Sequence, residues 1–257
     1  MRTLPSVTNV LDEYTPLPSL TPASRMGLRR DGTHRTRLFG GEMSIENPPN
    51  VVFDDVSAAV DALEVGVEFL EQAEANAQRF RWAIIAMHQA VQCFMVTALK
   101  GTEGTRPLDQ EKKSVREFVR RLVGYAARGG RFPSQPQAVD SFLKLYAKVK
   151  DASPAGMGQL HTSKAFGAEA EDDRAIENLK ELRNRFVHFT PSTWVLDPAA
   201  AIASLRSALK LISFLAFESQ NILWSACPED METQTKQLLA RGGRSLDRLS
   251  AVYTAVG

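Results

Sequence analysis

Residues 181–194 read E-L-R-N-R-F-V-H-F-T-P-S-T-W. This stretch closes one helix, separates it from the next, and gathers Arg183, Asn184 and His188 within two turns. Ile176, Leu179, Leu182 and Phe186 recur at three- and four-residue steps, so they share one helix face. Pro191 cannot continue a helix, and Thr190 before it is biased toward extended backbone. The spacing therefore predicts a helix over residues 171–189 that stops near His188 or Phe189. At about 100° per residue, Asn184 and His188 lie one turn apart and can touch. Arg183 falls in azimuth between Leu179 and Val187, on the edge of the apolar face. A charge there requires a partner or a cleft. Two readings fit this spacing. The trio is a working site, or Arg183 lies along its own helix and His188 caps the last carbonyls, where a cation is favoured.

The segments on either side read as helices too. Residues 54–76 carry Val56, Val60, Leu63, Val67 and Leu70 as an apolar stripe, with Asp54 or Asp55 as cap. Residues 82–100 place Ile84, Met87, Val91, Phe94, Met95 and Ala98 inward, and Gly101 ends the run. His88 and Gln92 sit one turn apart on a flank and read as interhelical hydrogen bonders, with Gln92, like Thr190, also a candidate support for the site. Residues 112–127 hold the densest basic run, Lys112, Lys113, Arg116, Arg120 and Arg121, a candidate RNA-binding face as well as an ordinary solvated one. Residues 136–149 read as a shorter helix with Val139, Phe142, Leu143 and Tyr146 apolar. Residues 150–170 form a long loop with Gly156, Gly158, Gly167 and His161, placed so that it could cover the site. Residues 198–225 are the most apolar helix, with Pro198 at its first position and Asp197 as cap. Arg206 and Lys210 interrupt it, which favours a bundle helix over a membrane span. Residues 229–253 are amphipathic, with a kink or break expected at Gly242-Gly243.

The first fifty residues differ in kind. Pro5, Pro16, Pro18, Pro22, Pro48 and Pro49 punctuate a run without apolar periodicity, and its second half is arginine-rich. It reads as a disordered tail without the apolar core of a secretory signal. Met43 is an alternative start, since Met43-Ser44-Ile45-Glu46 stands just before the first helix. The chain thus divides into a tail over 1–50, a helical bundle over 51–226 and a C-terminal helical extension over 227–257.

Composition narrows the function classes. Of 257 residues, 44% are hydrophobic and 24% charged, enough to bury a core. The net charge of +1 supplies no global field for a polyanion, so any nucleic-acid contact must be a local patch. The two cysteines, Cys93 and Cys227, form no C-x-x-C and imply no disulfide framework, which fits a reducing cytoplasm. No Gly-rich phosphate loop, H-E-x-x-H or repeat is present. The acidic cluster Glu169, Glu171, Asp172 and Asp173 sits at a helix start, where carboxylates are favourable anyway. Neither a metal site nor a cofactor is expected, and the fold class reads as all-α, a largely up-and-down bundle.

R-N-R-F-V-H, residues 183–188, resembles the R-N-x-x-x-H signature of the HEPN superfamily (higher eukaryotes and prokaryotes nucleotide-binding). The helix W-A-I-I-A-M-H-Q-A-V-Q-C-F-M-V-T-A-L-K-G, residues 82–101, is similar to the early helix of that fold, and H-F-T-P-x-x-W resembles a plasmid-borne bacterial branch. The resemblance spans about residues 51–226. It implies a metal-independent endoribonuclease, acting as a homodimer on RNA in a toxin or phage-defence setting, with an antitoxin protein as a further partner. Histidine near neutrality accepts or donates a proton, and arginine grips two phosphate oxygens. His188 is then the acid/base, Arg183 the phosphate ligand, and Asn184 an orienting group. In the toxin branch paired with nucleotidyltransferases a tyrosine often stands two residues past the histidine. Thr190 occupies that position here, which puts that modification and that partner in doubt. The resemblance also allows a non-catalytic HEPN module that binds nucleotide, RNA or a protein through the same groove.

Overall fold

The computed structural model describes residues 54–254, apart from 102–103, 130–132, 135, 137, 189–192 and 229. The tail over 1–50 and Thr190 therefore lie outside the described residues. Among the described residues seven α-helices follow one another: α1 (Asp55–Ala73), α2 (Phe80–Lys100), α3 (Lys113–Arg128), α4 (Phe142–Val149), α5 (Ala170–Val187), α6 (Pro198–Ser213) and α7 (Met231–Thr254). The only β pairing among those residues is an isolated bridge between Leu108 and Val139, so the fold is all-α.

The helix ends follow local chemistry. Asp54 caps α1 by accepting from the backbone N–H groups of Val56 and Ser57, both at 2.9 Å. Gly101 ends α2 at φ +52°, where a side chain would be strained. The acidic cluster opens α5: Glu169 and Asp172 form a reciprocal capping box, and Asp172, buried, also accepts from Lys210 at 2.7 Å and Ser207 at 3.1 Å. Pro198 sits in the first turn of α6, capped by Asp197.

One core joins α1, α2, α5, α6 and α7, with Leu63, Val67, Ile84, Met87, Phe94, Ile176, Leu179, Leu205 and Leu246 all fully buried. Each such side chain contributes about 1.5–3 kcal/mol by leaving water. The segments Ala77–Lys100 and Pro198–Glu218 are long and apolar enough to cross a membrane, but 61% of each apolar window is buried in the bundle. α3 stands apart. Its buried residues, Val115 and Phe118, belong to a separate small cluster with Leu108 and Ala138.

Four expectations need correction. The fourth helix starts at Phe142, because Ala138–Asp140 is held extended: Ala138 accepts from Asp109 N–H at 2.8 Å and Asp140 N–H donates to the Pro107 carbonyl at 2.9 Å. Val139 is consequently exposed, not part of an apolar face. The apolar helix expected to reach residue 225 leaves α geometry at Phe214, widens to one π turn over Phe214–Glu218, and ends where Gln220 takes φ +64°. The 150–170 loop, expected to be placed to cover the site, contributes no residue to the cleft beside Arg183 and packs into the bundle. Met157 and Phe166 are core residues, and Asn221 and Lys164 tie the loop to the turn after α6.

Finally, Gly242-Gly243 does not interrupt α7. Gly242 lets α7 approach α1 and α6: a Cβ there would lie 3.0 Å from Leu209 and 3.2 Å from Val67, whereas one at Gly243 would meet nothing within 4 Å. α7 is fastened to α1 by Arg241–Glu71 and Arg248–Glu74 ion pairs. The expected result is that Gly242→Val destabilises by about 1–3 kcal/mol through overpacking, while Gly243→Ala stabilises by up to about 1 kcal/mol through helix propensity. Urea-denaturation midpoints check both; equal shifts of the same sign would contradict the close approach.

Candidate functional site

α5 carries Arg183 and Asn184 on its last two turns and His188 at its C-cap, and the structure distributes the three side chains. Arg183 is half-buried and donates through Nη1 to Oδ1 of Asn184 at 3.1 Å. Its guanidinium lines a cleft of about 370 Å³ walled by Asp61, Val65 and Phe69 of α1 and by Trp82, Ile85 and Gln89 of α2. Apart from Arg183, Asp61 and Gln89, the wall is apolar. The backbone N–H of His188 donates to the Asn184 carbonyl at 2.9 Å, and its side chain is exposed. It is not among the residues lining the Arg183 cleft. By sequence spacing Asn184 stands next to His188. In the structure the Asn184 side chain pairs with its chain neighbour Arg183, and its backbone carbonyl serves His188. Both Arg183 and His188 reach the surface within one turn and a half of each other.

Further side chains surround this helix end, and of these Arg81 and Arg185 were not singled out from sequence. Arg81 of α2 donates to the Phe186 carbonyl at 3.2 Å, satisfying a terminal carbonyl with a cation. The same guanidinium stands 5.0 Å above the Trp82 ring. Trp194 packs on Phe186 at 4.9 Å, with Arg185 5.8 Å from its ring centre. A second cleft of about 420 Å³ opens there, lined by Arg81, Arg185, Phe186 and Trp194. The only sequence signal for it was the tryptophan in H-F-T-P-x-x-W, which becomes meaningful once Phe186 is known to face it.

Of the supporting candidates, Gln92 is half-buried on α2 and lines neither cleft. His88 is buried and stacks on Phe142 of α4, rings 4.1 Å apart and 20° from parallel. Burial, with the Arg183 charge adding to it, pushes the His88 imidazole down to about 4. It is neutral at pH 7. Lys112, Lys113, Arg116, Arg120 and Arg121 are all exposed along α3. Among the described residues, no three His, Cys, Asp or Glu side chains group as metal ligands.

The His88 environment has a pH consequence. In the unfolded chain this imidazole protonates near its ordinary 6.5, in the folded chain only near 4. The folded pKa is depressed, so its stabilising contribution is complete above about pH 6.5 and is lost as pH falls toward 4. Wild-type stability is expected to drop between pH 6.5 and 5, ahead of carboxylate protonation, and His88→Gln to flatten that drop. Urea midpoints at pH 7 and 5 decide it; an identical slope in both proteins would remove His88 as the cause.

The chain matches no family model, and neither a curated protein nor a solved structure shows significant similarity to it.

Proposed function

We propose that this protein is a metal-independent endoribonuclease of the HEPN type, cytoplasmic and homodimeric, used in a toxin or phage-defence setting with an antitoxin protein as counterpart. The observation that carries the reading is the end of α5: a half-buried guanidinium, fixed by Asn184, and an exposed imidazole five positions on, both open to solvent. The likeness of residues 183–188 to R-N-x-x-x-H supports the same reading.

The chemistry uses only these groups. The 2′-hydroxyl of RNA gives up its proton and its oxygen attacks the adjacent phosphorus. The P–O5′ bond breaks, and the departing 5′-oxygen takes a proton, leaving a 2′,3′-cyclic phosphate and a 5′-hydroxyl. His188 handles protons, and Arg183 stabilises the charge that builds on the phosphate oxygens. One histidine per subunit serves one of the two proton transfers well. A second copy supplies a second histidine and a second arginine. The apolar walls beside Arg183, with Val65 and Trp82 both more than 40% exposed, support a partner on that face.

A second reading is a non-catalytic HEPN module that docks a protein or RNA at the same place. The apolar lining of the Arg183 cleft favours it. Incubating the purified chain with a mixed RNA pool in chelator separates the two. Fragments ending in cyclic phosphate support the enzyme. Intact RNA at dimer-forming concentration, in wild type and His188→Ala alike, leaves the binding module.

A further inference from the structure

α3 is an outlying helix with a strongly one-sided charge. It carries Lys113, Arg116, Arg120, Arg121 and Arg128 against a single acid, Glu117, in a chain whose net charge is only +1. Taking Arg116 as zero and about 100° per residue, the five cations fall within an arc of roughly 140°. That arc is centred opposite Val115, Phe118 and Leu122, the residues that hold α3 to its small cluster. On α6 and α7, by contrast, Arg206, Arg241 and Arg248 each meet a carboxylate. On α3, among the described residues, only Lys113 does, at a loose 3.9 Å from Glu117; Arg116, Arg120, Arg121 and Arg128 have no carboxylate partner.

The face is also shaped. Gly124 lies at about 80° on the same scale, in the middle of the cationic arc. A Cβ there would stand 3.2 Å from Nη2 of Arg128, so that guanidinium lies close over the bare backbone of the helix. Around this gap Arg120, Arg121, Arg128, Tyr125, Pro133 and Ser134 line an open cleft of about 670 Å³. Four of the five cations are arginines, whose planar fork suits phosphate oxygens better than an ammonium does. Tyr125 adds an aromatic side chain to the cleft wall.

We propose that the α3 arm is an RNA-backbone binding site, separate from the end of α5, with the Gly124 cleft seating a phosphate between Arg120, Arg121 and Arg128. The choice of RNA as the polyanion rests on the proposed function, but the binding does not require cleavage.

The test uses the full chain in a His188→Ala background and a labelled single-stranded RNA of mixed sequence, titrated across a salt series. Every phosphate that is no longer neutralised takes about 0.7 from the slope of log affinity against log salt for a single strand. Arg120→Gln/Arg121→Gln/Arg128→Gln is expected to flatten the slope by about 2 and to weaken binding on the order of 100-fold at 0.1 M salt. Gly124→Leu keeps every charge and fills the gap; a several-fold weakening is expected, which diffuse attraction alone would not give. Circular dichroism confirms that each variant stays helical. An unchanged slope in the triple variant overturns the proposal, as does tight binding of an acidic peptide with no binding of RNA, which would make α3 a protein-docking arm. Cleavage by the wild-type chain is scored separately. Absent cleavage with the expected slopes retires the nuclease and keeps the arm, while cleavage with an unchanged slope does the reverse.

Discussion

His188→Ala is expected to lower the rate of RNA cleavage by about 10²–10⁴-fold, the usual contribution of a positioned acid/base, while leaving the melting temperature almost unmoved. The second half follows from position. His188 is exposed and lies just past the last turn of α5, and alanine keeps its backbone N–H donation to the Asn184 carbonyl. Surface substitutions of this kind change stability by about 0.5 kcal/mol or less. Arg183 behaves differently because it is half-buried. Arg183→Gln removes the charge beside the phosphate and is expected to cost at least as much rate. Arg183→Lys keeps the charge but loses the fork, so it should fall between. Asn184→Ala leaves both chemical groups and frees the guanidinium from its 3.1 Å anchor, which predicts a smaller loss seen mainly in kcat. Rates on a defined RNA in chelator, with melting curves of the same preparations, make the check. A His188→Ala protein that cleaves like wild type would sink the acid/base role, and a variant that loses rate only by unfolding would leave it without support.

The helices were legible because their signals are local. Asp54 ahead of Val56, Gly101 after Lys100 and Pro198 after Asp197 each mark an end that the backbone adopts within one residue. What failed was long-range. Val139 has the spacing of a helix face, but the backbone around it pairs with residues near Leu108 about thirty positions upstream, which no window on the sequence reveals. Gly242 looks like a hinge in isolation and becomes a contact point only when Val67 and Leu209 are placed against it. The candidate site divides in the same way. Arg183, Asn184 and His188 could be singled out because they are close in sequence. Arg81, more than a hundred residues away, reaches the Phe186 carbonyl through α2–α5 packing, and the spacing of α2 alone gives no hint of it. The azimuth argument put Arg183 on the border of the apolar face, and the structure gives it the neighbours such a position implies: the buried imidazole of His88 inside and the Trp82 cleft outside.

That cleft carries the second large expectation. Trp82→Glu, alone or with Val65→Asp, is expected to dissociate the proposed homodimer and to abolish the proposed cleavage with His188 and Arg183 untouched. Single exposed apolar side chains are ordinary on a protein surface. Here they adjoin one another: Trp82 is 44% and Val65 42% exposed, Phe69 lies against Trp82 at 6.3 Å, and Ile85 continues the wall toward Arg183. Val187, 44% exposed one turn beyond Arg183 on α5, adds to the apolar surface at this end of the helix. A tryptophan at the centre of an interface commonly contributes about 2 kcal/mol or more, so its removal weakens association by at least about 30-fold. A glutamate in its place adds the cost of burying a charge among apolar walls that already hold Asp61. The two readings of the protein then part company. If the groove is completed by a second copy, light scattering gives a dimer for wild type at micromolar concentration, a monomer for Trp82→Glu, and cleavage is lost in step with the dimer. If wild type is itself a strict monomer, the face belongs to some other protein, and one histidine per site has to carry both proton transfers alone, which argues against the nuclease and for the docking module.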